Sequence, residues 1–300
     1  MSVTSITRQK THSKLIRTNA ADVFIITFTA IFAIIELYPF YNSLLVSLVS
    51  QAEYMGTPFM IFPKKIIFDS YMMVFLNKSL FSGMGVTTII TLLGVPYSMV
   101  LTTLLAYAFN KDFIGKKVMV LMCIFTMYFS GGLIPFYLLI KDINLIDTLG
   151  SMILPVGISI MYMTVIRKYF LTIPAELEES AKMDGATEVV IFFRIILPLS
   201  LPIIATFSLY YAVERWNEWY NGMLFIRSFN KRPLQLVLRS IIQTTGNALQ
   251  SDDSQQFGII PFSDGIKMAC VVVTMLPIMM VYPFLQKYFV RGLTIGAVKG

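Results

Sequence analysis

The chain has 300 residues, of which 56% are hydrophobic and 14% are charged, and its formal net charge is +7. A soluble protein of this length seldom has so apolar a composition, so the sequence indicates a membrane protein. One histidine and two cysteines, the latter in separate apolar segments, exclude a metal site built on His/Cys spacing, and no basic stripe with interleaved aromatic residues predicts nucleic-acid binding.

Six apolar segments are long enough to cross a hydrocarbon core of roughly 30 Å as α-helices. Helices are required because lipid offers no partner for backbone N–H and C=O groups, and the alternating pattern of a membrane barrel is absent. The segments are residues 23–49, 83–109, 118–140, 148–166, 195–213 and 268–286. The sequence therefore predicts an all-α membrane protein with six transmembrane helices. Its single domain covers residues 21–290, between a tail of residues 1–20 and a tail of residues 291–300.

The first segment carries a carboxylate, Glu36, near its middle. Acidic residues inside a membrane span are candidates for function, and a proton-coupled carrier would use one. The neighbouring segments offer neither a second acid nor a histidine for a proton relay. A structural role is the favoured interpretation, with a hydrogen bond to Tyr38, Tyr41 or Asn42.

The distribution of basic residues predicts that both termini lie in the cytoplasm. Six spans place both tails on one side, the second counted from Lys287, together with the short loop 111–117 and the polar loop 167–194. These segments carry 14 of the 24 lysines and arginines, and short cytoplasmic segments are typically enriched in both. The external side would then hold the long loops 51–82 and 227–267, and the apolar stretch 234–242 in the second of these predicts a short helix.

The polar loop 167–194 predicts a short amphipathic helix with a sharp stop. Pro174 suits the first turn of a helix, and Gly185 can adopt the left-handed conformation that ends one. Acids fill the opening turns, where carboxylates favour the helix dipole: Glu176, Glu178 and Glu179. Apolar residues recur at every fourth position: Ile173, Leu177 and Ala181. Two interpretations remain open, an ordinary interfacial helix and a shaped element that a soluble partner grips.

The order of residues in and after this helix resembles the EAA loop of permease subunits from binding-protein-dependent ABC importers. In that loop Glu, a small residue and Ala precede a Gly and, further on, an Ile-x-Leu-Pro sequence. The matching positions are Glu179, Ser180, Ala181, Gly185, Ile195, Leu197 and Pro198. Ser180 stands where the family usually has Ala. The likeness covers about residues 70–300.

Other segments resemble the carbohydrate branch of that family, the maltose-type permeases. They are Asp-Gly-Ala-Thr at 184–187, Trp-Asn-Glu-Trp at 216–219 and Pro-Leu-Gln-Leu at 233–236. Ser-Gly-Gly-Leu-Ile-Pro at 130–135 resembles the subgroup that imports complex oligosaccharides. The resemblance implies a type I importer architecture and a carbohydrate substrate, with an oligosaccharide favoured.

The resemblance also implies partners. A second, usually non-identical permease chain completes the pore, and an external solute-binding protein delivers the sugar. Two ATP-binding subunits dock on the cytoplasmic face and hold the ATP and Mg, so this chain is not an enzyme and has no cofactor of its own. The loop helix fits a cleft in one ATPase and moves as a lever. The expected coupling residues are Glu178, Glu179, Ser180, Ala181, Asp184, Gly185, Ile195, Leu197 and Pro198.

Residues 216–220 are candidates for the substrate path. Their aromatic faces suit the C–H surfaces of sugars, and their amide and carboxylate suit hydroxyl groups. The resemblance places them where the fifth helix breaks within the outer half of the membrane. The residues are Trp216, Asn217, Glu218, Trp219 and Tyr220. An interfacial aromatic belt and a subunit contact are the other interpretations.

The leading hypothesis is therefore a permease subunit of an ATP-driven importer, multi-pass in the cell membrane. The alternative is an ion-coupled secondary carrier for a small polar solute. That reading would use Glu36 but would leave the loop motif unexplained, and no internal repeat supports it. An intramembrane enzyme lacks a constellation of catalytic residues, since the sequence has no paired histidines and no aspartate dyad within the spans.

Overall fold

The computed structural model describes residues 20–57, 60–248 and 262–297. Side chains are described in these ranges except at residues 20, 244–248 and 281–297. The predicted tail 1–20 thus lies almost wholly outside the described residues, as does the centre of the loop 227–267. The boundaries proposed for the domain and its loops remain predictions.

The described residues are helical, and no β-strand occurs among them. The first half contains α1 (Ala20–Ser47), α2 (Gln51–Gly56), α3 (Asp69–Leu76), α4 (Lys78–Ala108), α5 (Lys116–Tyr128), α6 (Leu133–Asp142) and α7 (Gly150–Ile153). The second half contains α8 (Ile160–Phe170), α9 (Ala175–Met183), α10 (Glu188–Ile191), a π-helical turn (Phe192–Ile196), α11 (Leu197–Leu199), α12 (Leu201–Trp216), α13 (Tyr220–Phe225), a 3-10 turn (Phe229–Lys231), α14 (Leu234–Ala248) and α15 (Ser263–Ala297). The helix predicted at 234–242 is confirmed.

The predicted count of six continuous spanning helices is not confirmed. Among the described residues, three helices are long and apolar enough to cross a membrane: residues 21–47, 78–108 and 263–280. Two bent pairs raise the number to five if each pair is one span. In the first pair α5 and α6 meet at 113°, and in the second the α10–α11 segment meets α12 at 83°.

The prediction of single helices at 118–140 and 148–166 is wrong. The first is interrupted between α5 and α6, where Gly132 adopts a φ of +91° that an L-residue seldom takes. The second is split into the four-residue α7 and α8, with residues 154–159 between them. Pro155 lies in this gap, and proline has no N–H to donate to a continuing helix.

Arg215 of α12 fills the backbone gap between α7 and α8. Its side chain is buried, with 3% exposed, and one guanidinium nitrogen donates to the carbonyl of Met152 at 2.9 Å. The other donates to the carbonyl of Val156 at 2.7 Å and to Ser98 Oγ at 2.9 Å. Gly94 of α4 leaves room for this side chain, because a Cβ there would lie 3.0 Å from Arg215 Nε. The guanidinium thus pairs carbonyls that the broken helix leaves open.

Tyr211, one turn earlier on α12, forms a hydrogen bond with the backbone at the other end of the gap. Its buried hydroxyl accepts a hydrogen bond from the backbone N–H of Ser159 at 2.9 Å and lies 2.7 Å from Thr102 Oγ1 on α4. Residues 211 and 215 are neighbours on one helix face. Non-helical backbone at membrane depth is tolerated where protein groups satisfy it, which explains why the fourth predicted span need not be one helix.

The two halves of α4 pack against different helices. Around its second half lies the largest buried cluster, which joins α4 to α8, the π-helical turn and α12. Around its first half, α3, α14 and α15 pack together, and the backbone N–H of Leu234 donates to Thr87 Oγ1 at 2.8 Å. The helix α9 therefore lies at one end of the bundle, and α3 and the start of α14 lie at the other.

At the α3 end, Asp147, which precedes the fourth apolar segment (148–166), is hydrogen-bonded to the chain after α13. Its carboxylate accepts hydrogen bonds from the hydroxyl of Ser228 at 2.6 Å and from the backbone N–H groups of Ser228 and Arg227. Lys231 Nζ lies 3.3 Å away. These donors, Ser228 foremost, hold the pKa of Asp147 well below its ordinary value, so the carboxylate is charged at neutral pH.

Replacing Arg215 should destabilise the bundle. Arg215→Leu leaves the carbonyls of Met152 and Val156 unpaired, at about 1–3 kcal/mol for each. We expect a lower melting temperature of the purified protein in detergent, whereas Arg194→Leu, which removes an exposed arginine, should leave it unchanged. Equal melting temperatures for the two variants would contradict the role given to Arg215.

Candidate functional site

The helix predicted in loop 167–194 is confirmed as α9 (Ala175–Met183). Pro174 is its N-cap rather than a residue of its first turn, one position earlier than predicted. Glu176 and Glu178 do lie in the first turn, where their charge favours the helix dipole.

The stop after α9 is a Schellman motif centred on Gly185. Gly185 has a φ of +79°, and its N–H donates to the carbonyl of Lys182 at 3.0 Å. The N–H of Ala186 donates to the carbonyl of Ala181 at 2.9 Å. These two bonds define the motif, which confirms the predicted left-handed stop. Thr187 then caps α10 at once, because its side chain accepts from the N–H of Val190.

An ion cluster fixes α9 to the rest of the chain. Lys111, just after α4, forms an ion pair with Glu178 and lies 3.1 Å from Glu188. Lys182 lies 2.7 Å from the other oxygen of Glu188, and Tyr107 donates to Glu188 at 2.6 Å. Burial alone would lower the pKa of Lys111, but its hydrogen bonds to Glu178, Tyr107 and Glu188 raise that pKa above its ordinary value. Lys111 therefore stays charged across the physiological range.

One face of α9 packs on the bundle. Ile173 and Ala181 contact the large buried cluster, but Leu177 is exposed, so the predicted apolar stripe is confirmed only in part. Glu178 turns inward to Lys111. Glu178 and Ala181, both expected to be coupling residues, thus hold α9 in place within this chain.

The opposite face of α9 is open. Exposed residues follow one another at helical spacing: Glu176, Glu179, Ser180 and Met183. The side chain of Met183 at the tip is 88% exposed. Asp184 and Gly185 continue this surface, and a Cβ added at Gly185 would meet no atom within 4 Å. This docking face, formed by residues 176, 179, 180 and 183–185, combines carboxylates with an exposed apolar tip.

The three remaining coupling candidates lie away from α9. Ile195 and Leu197 are half-buried and pack against the large cluster, whereas Pro198 is exposed. The N–H of Leu197 donates to the carbonyl of Phe192, the i→i−5 bond of a π-helical turn. These residues form the bent connection to α12 and do not belong to the exposed face of α9.

The predicted break after the fifth helix is confirmed, because α12 ends at Trp216 and α13 begins at Tyr220. Trp216 packs against the cluster of α3, α14 and α15. Glu218 accepts two hydrogen bonds from Asn221 at 2.9 Å, which cap α13. The ring of Trp219 lies under the guanidinium of Arg239, 4.2 Å from its carbon. Of the five path candidates, only Asn217 and Tyr220 are exposed.

The sequence analysis missed a carboxylate on the exposed side of α12. Glu214 accepts a hydrogen bond from the hydroxyl of Tyr162 on α8 and is itself exposed. It stands one residue beyond the uncharged run that ended at Val213. Extending the helical periodicity to Trp216 would have placed it on the same face as Asn217 and Tyr210.

Glu36 does not have the partner predicted for it. It lies on α1, which is exposed from residue 21 over most of its length. Tyr41 donates instead to the carbonyl of Ile61, and no hydrogen bond to Glu36 occurs among the described residues.

Apolar helices long enough to cross a membrane, a short amphipathic helix exposed at one end and a break between α12 and α13 are features of a transport permease. The chain belongs to the family of binding-protein-dependent transport system inner membrane components, which it matches over residues 99–295. In such systems ATP is hydrolysed by partner subunits, so this permease subunit is not an enzyme.

Related proteins agree with this assignment. Protein LplC of Bacillus subtilis (strain 168) is 41% identical over 89% of this chain and 90% of its own length. The polygalacturonan/rhamnogalacturonan transport system permease protein YtcP of the same organism is 38% identical over 93% of this chain and 98% of its own length. The fold is also similar to that of a bacterial ABC transporter involved in the import of the acidic polysaccharide alginate. The TM-score is 0.80 at 29% identity, over 90% of this chain and 98% of the other.

The stop at Gly185 can be tested without any transport assay. Gly185→Val forces a β-branched residue into left-handed backbone, at a cost of roughly 1–2 kcal/mol, whereas Gly185→Asn tolerates that conformation. We expect faster hydrogen–deuterium exchange at the N–H of Ala186 in the Val variant and nearly native exchange in the Asn variant. Native exchange in both variants would refute the Schellman stop.

Proposed function

We propose that this chain is one of two permease subunits of an ABC importer for an oligosaccharide. In this proposal both termini and α9 lie in the cytoplasm, and α9 docks into an ATP-binding subunit. The proposal depends on the exposed docking face of α9. The ion pairs of Glu178 and Glu188 and the Schellman stop hold this helix against the bundle.

A rigid helix suits the transmission of force. The inner face of α9 is held by Lys111 and the buried cluster, so a push on its outer face would move the bent connection at residues 188–199. Coupling between two sites requires contacts that differ between two states, and a fixed lever provides them better than a loose loop. Met183 offers an apolar anchor for such a contact.

The exposed helix α1 supports a second permease chain as partner. Its large apolar side chains are exposed over residues 23–44, while it contacts α15 within its own chain. Lipid would suit those apolar residues, but a charged carboxylate at mid-helix costs roughly 2.5–3.5 kcal/mol in lipid. A polar group on a neighbouring subunit would remove that cost for Glu36.

The relatives support a carbohydrate substrate. YtcP is named for polygalacturonan and rhamnogalacturonan, and AraQ of Bacillus subtilis (strain 168), which is 28% identical over 91% of this chain, for arabinooligosaccharides. An external solute-binding protein would deliver the sugar to the α3 end of the bundle. In this proposal the described parts of loops 51–82 and 227–267 lie at that end.

Transport should depend on ATP and not on a proton gradient. The complex is reconstituted in vesicles with the solute-binding protein that co-purifies with it, and uptake of the oligosaccharide which that protein holds is measured. We expect uptake with ATP at the α9 side, no loss when a protonophore is added, and most activity retained in Glu36→Gln, because a glutamine keeps the hydrogen-bonding capacity.

The carrier alternative makes the opposite prediction. If the protonophore abolishes uptake at constant ATP, or if Glu36→Gln alone abolishes it, the ATP-driven importer is refuted. Asp142→Asn, which neutralises an exposed acid with no hydrogen bond found to it among the described residues, is the matched control for loss of a carboxylate.

A further inference from the structure

Glu214 lies level with the middle of α4, a helix that is long and apolar enough to cross a membrane. Its neighbour Arg215 packs against Gly94 and Ser98 of α4, a helix that runs from residue 78 to residue 108. At about 1.5 Å per residue, Gly94 is about 24 Å from the start of α4 and about 21 Å from its end. The adjacent carboxylate of Glu214 therefore stands at about the same depth.

Glu214 belongs to an exposed stripe on α12. Tyr210, Val213, Glu214 and Asn217 are all exposed and follow the i, i+3, i+4, i+7 spacing of one helix face. The stripe continues onto α14, where Gln235 donates to Asn217 Oδ1 at 3.2 Å. A carboxylate facing lipid at this depth would cost roughly 2.5–3.5 kcal/mol, so the stripe does not face lipid.

The groups around Glu214 suit a saccharide. The half-buried ring of Tyr162 lies 5.8 Å from the exposed ring of Tyr210, which gives aromatic surface beside the carboxylate. Tyr162 donates one hydrogen bond to Glu214, and an ionised carboxylate can accept several more. Helix contacts in membranes favour small residues that let backbones approach closely, and this stripe has tyrosine, glutamate, asparagine and glutamine instead.

We propose that this transit face, formed by Tyr162, Tyr210, Glu214 and Asn217, contacts the sugar during passage and favours neutral saccharides over uronates. The proposal rests on the proposed importer function. The two tyrosine rings would stack on C–H surfaces of the sugar, and Glu214 would accept hydrogen bonds from its hydroxyl groups.

The charge of Glu214 carries the selectivity. The adjacent guanidinium of Arg215 is directed to the carbonyls of Met152 and Val156 and to Ser98, and no ion pair to Glu214 occurs among the described residues. Arg215 also interacts electrostatically with Glu214 and Glu218, but these two carboxylates outnumber the one guanidinium, so an anionic sugar would meet a net negative charge in a site of low dielectric constant.

The test measures the charge preference of the path with thiol reagents. Asn217→Cys is made in a background with Cys123→Ala and Cys270→Ala, and the assembled complex is treated with cationic and anionic methanethiosulfonates of similar size. Glu214 is three residues away, about 5–6 Å between Cβ atoms. We expect the ratio of cationic to anionic labelling rates to fall about tenfold when Glu214→Gln is added, and to remain unchanged with Asp142→Asn.

Leu92→Cys, at an apolar position of α4 that is 68% exposed, is the control for a lipid-facing site and should react with neither reagent. If Asn217→Cys is equally unreactive, or if Glu214→Gln leaves its labelling ratio unchanged, the transit face is overturned. Labelling of Asn217→Cys is repeated with ATP trapped by vanadate. If the labelling ratio depends on Glu214 but is the same with and without trapped ATP, the proposed importer function is overturned and the transit face is not.

Discussion

Backbone groups inside a membrane need partners, and this requirement shapes the centre of the permease. The gap between α7 and α8 leaves carbonyls and an N–H at a depth where water is scarce, and two side chains of α12 satisfy them. Arg215 pairs the carbonyls of Met152 and Val156, and Tyr211 pairs the N–H of Ser159. Because both side chains also hydrogen-bond to α4, they connect α12 to α4 and to the gap between α7 and α8.

The helix α12 also connects the two proposed functional surfaces, the docking face and the transit face. At one end α12 joins the segment 188–199 through the 83° bend, and Glu188 in that segment is ion-paired to Lys111 beside α9. Near its other end the exposed side of α12 carries Glu214, on the turn that buries Arg215. A displacement of α9 would thus be passed to the transit face by a helix whose opposite side is fixed to α4.

Much of this structure could be predicted from local sequence. Uncharged runs located the long helices, the stop at Gly185 followed from glycine in an amphipathic segment, and the break after Trp216 followed from the family resemblance. Pro155 was a local signal for the gap at 154–159, but the side chains that satisfy the open backbone groups there, Tyr211 and Arg215, lie 52 and 63 residues from their partners in the sequence and could not be predicted. Trp216 packs against the cluster that contains Leu234, and Glu218 accepts a hydrogen bond from Asn221, contacts that were not part of the sequence-based expectation. Their place on a substrate path remains a prediction. Glu214 was missed because a span was defined by absence of charge, whereas a polar path requires charge inside it.

The central claim is that the docking face of α9 meets an ATP-hydrolysing subunit, and cross-linking at Met183 tests it most directly. Met183→Cys in the background without native cysteines is treated with a short thiol-reactive cross-linker in the assembled complex. Met55→Cys, exposed on α2, provides the control at the other end of the bundle. The account predicts a covalent product between the ATPase and position 183 and none with position 55. An intact complex with no product at position 183, or with the ATPase attached at position 55, would contradict it.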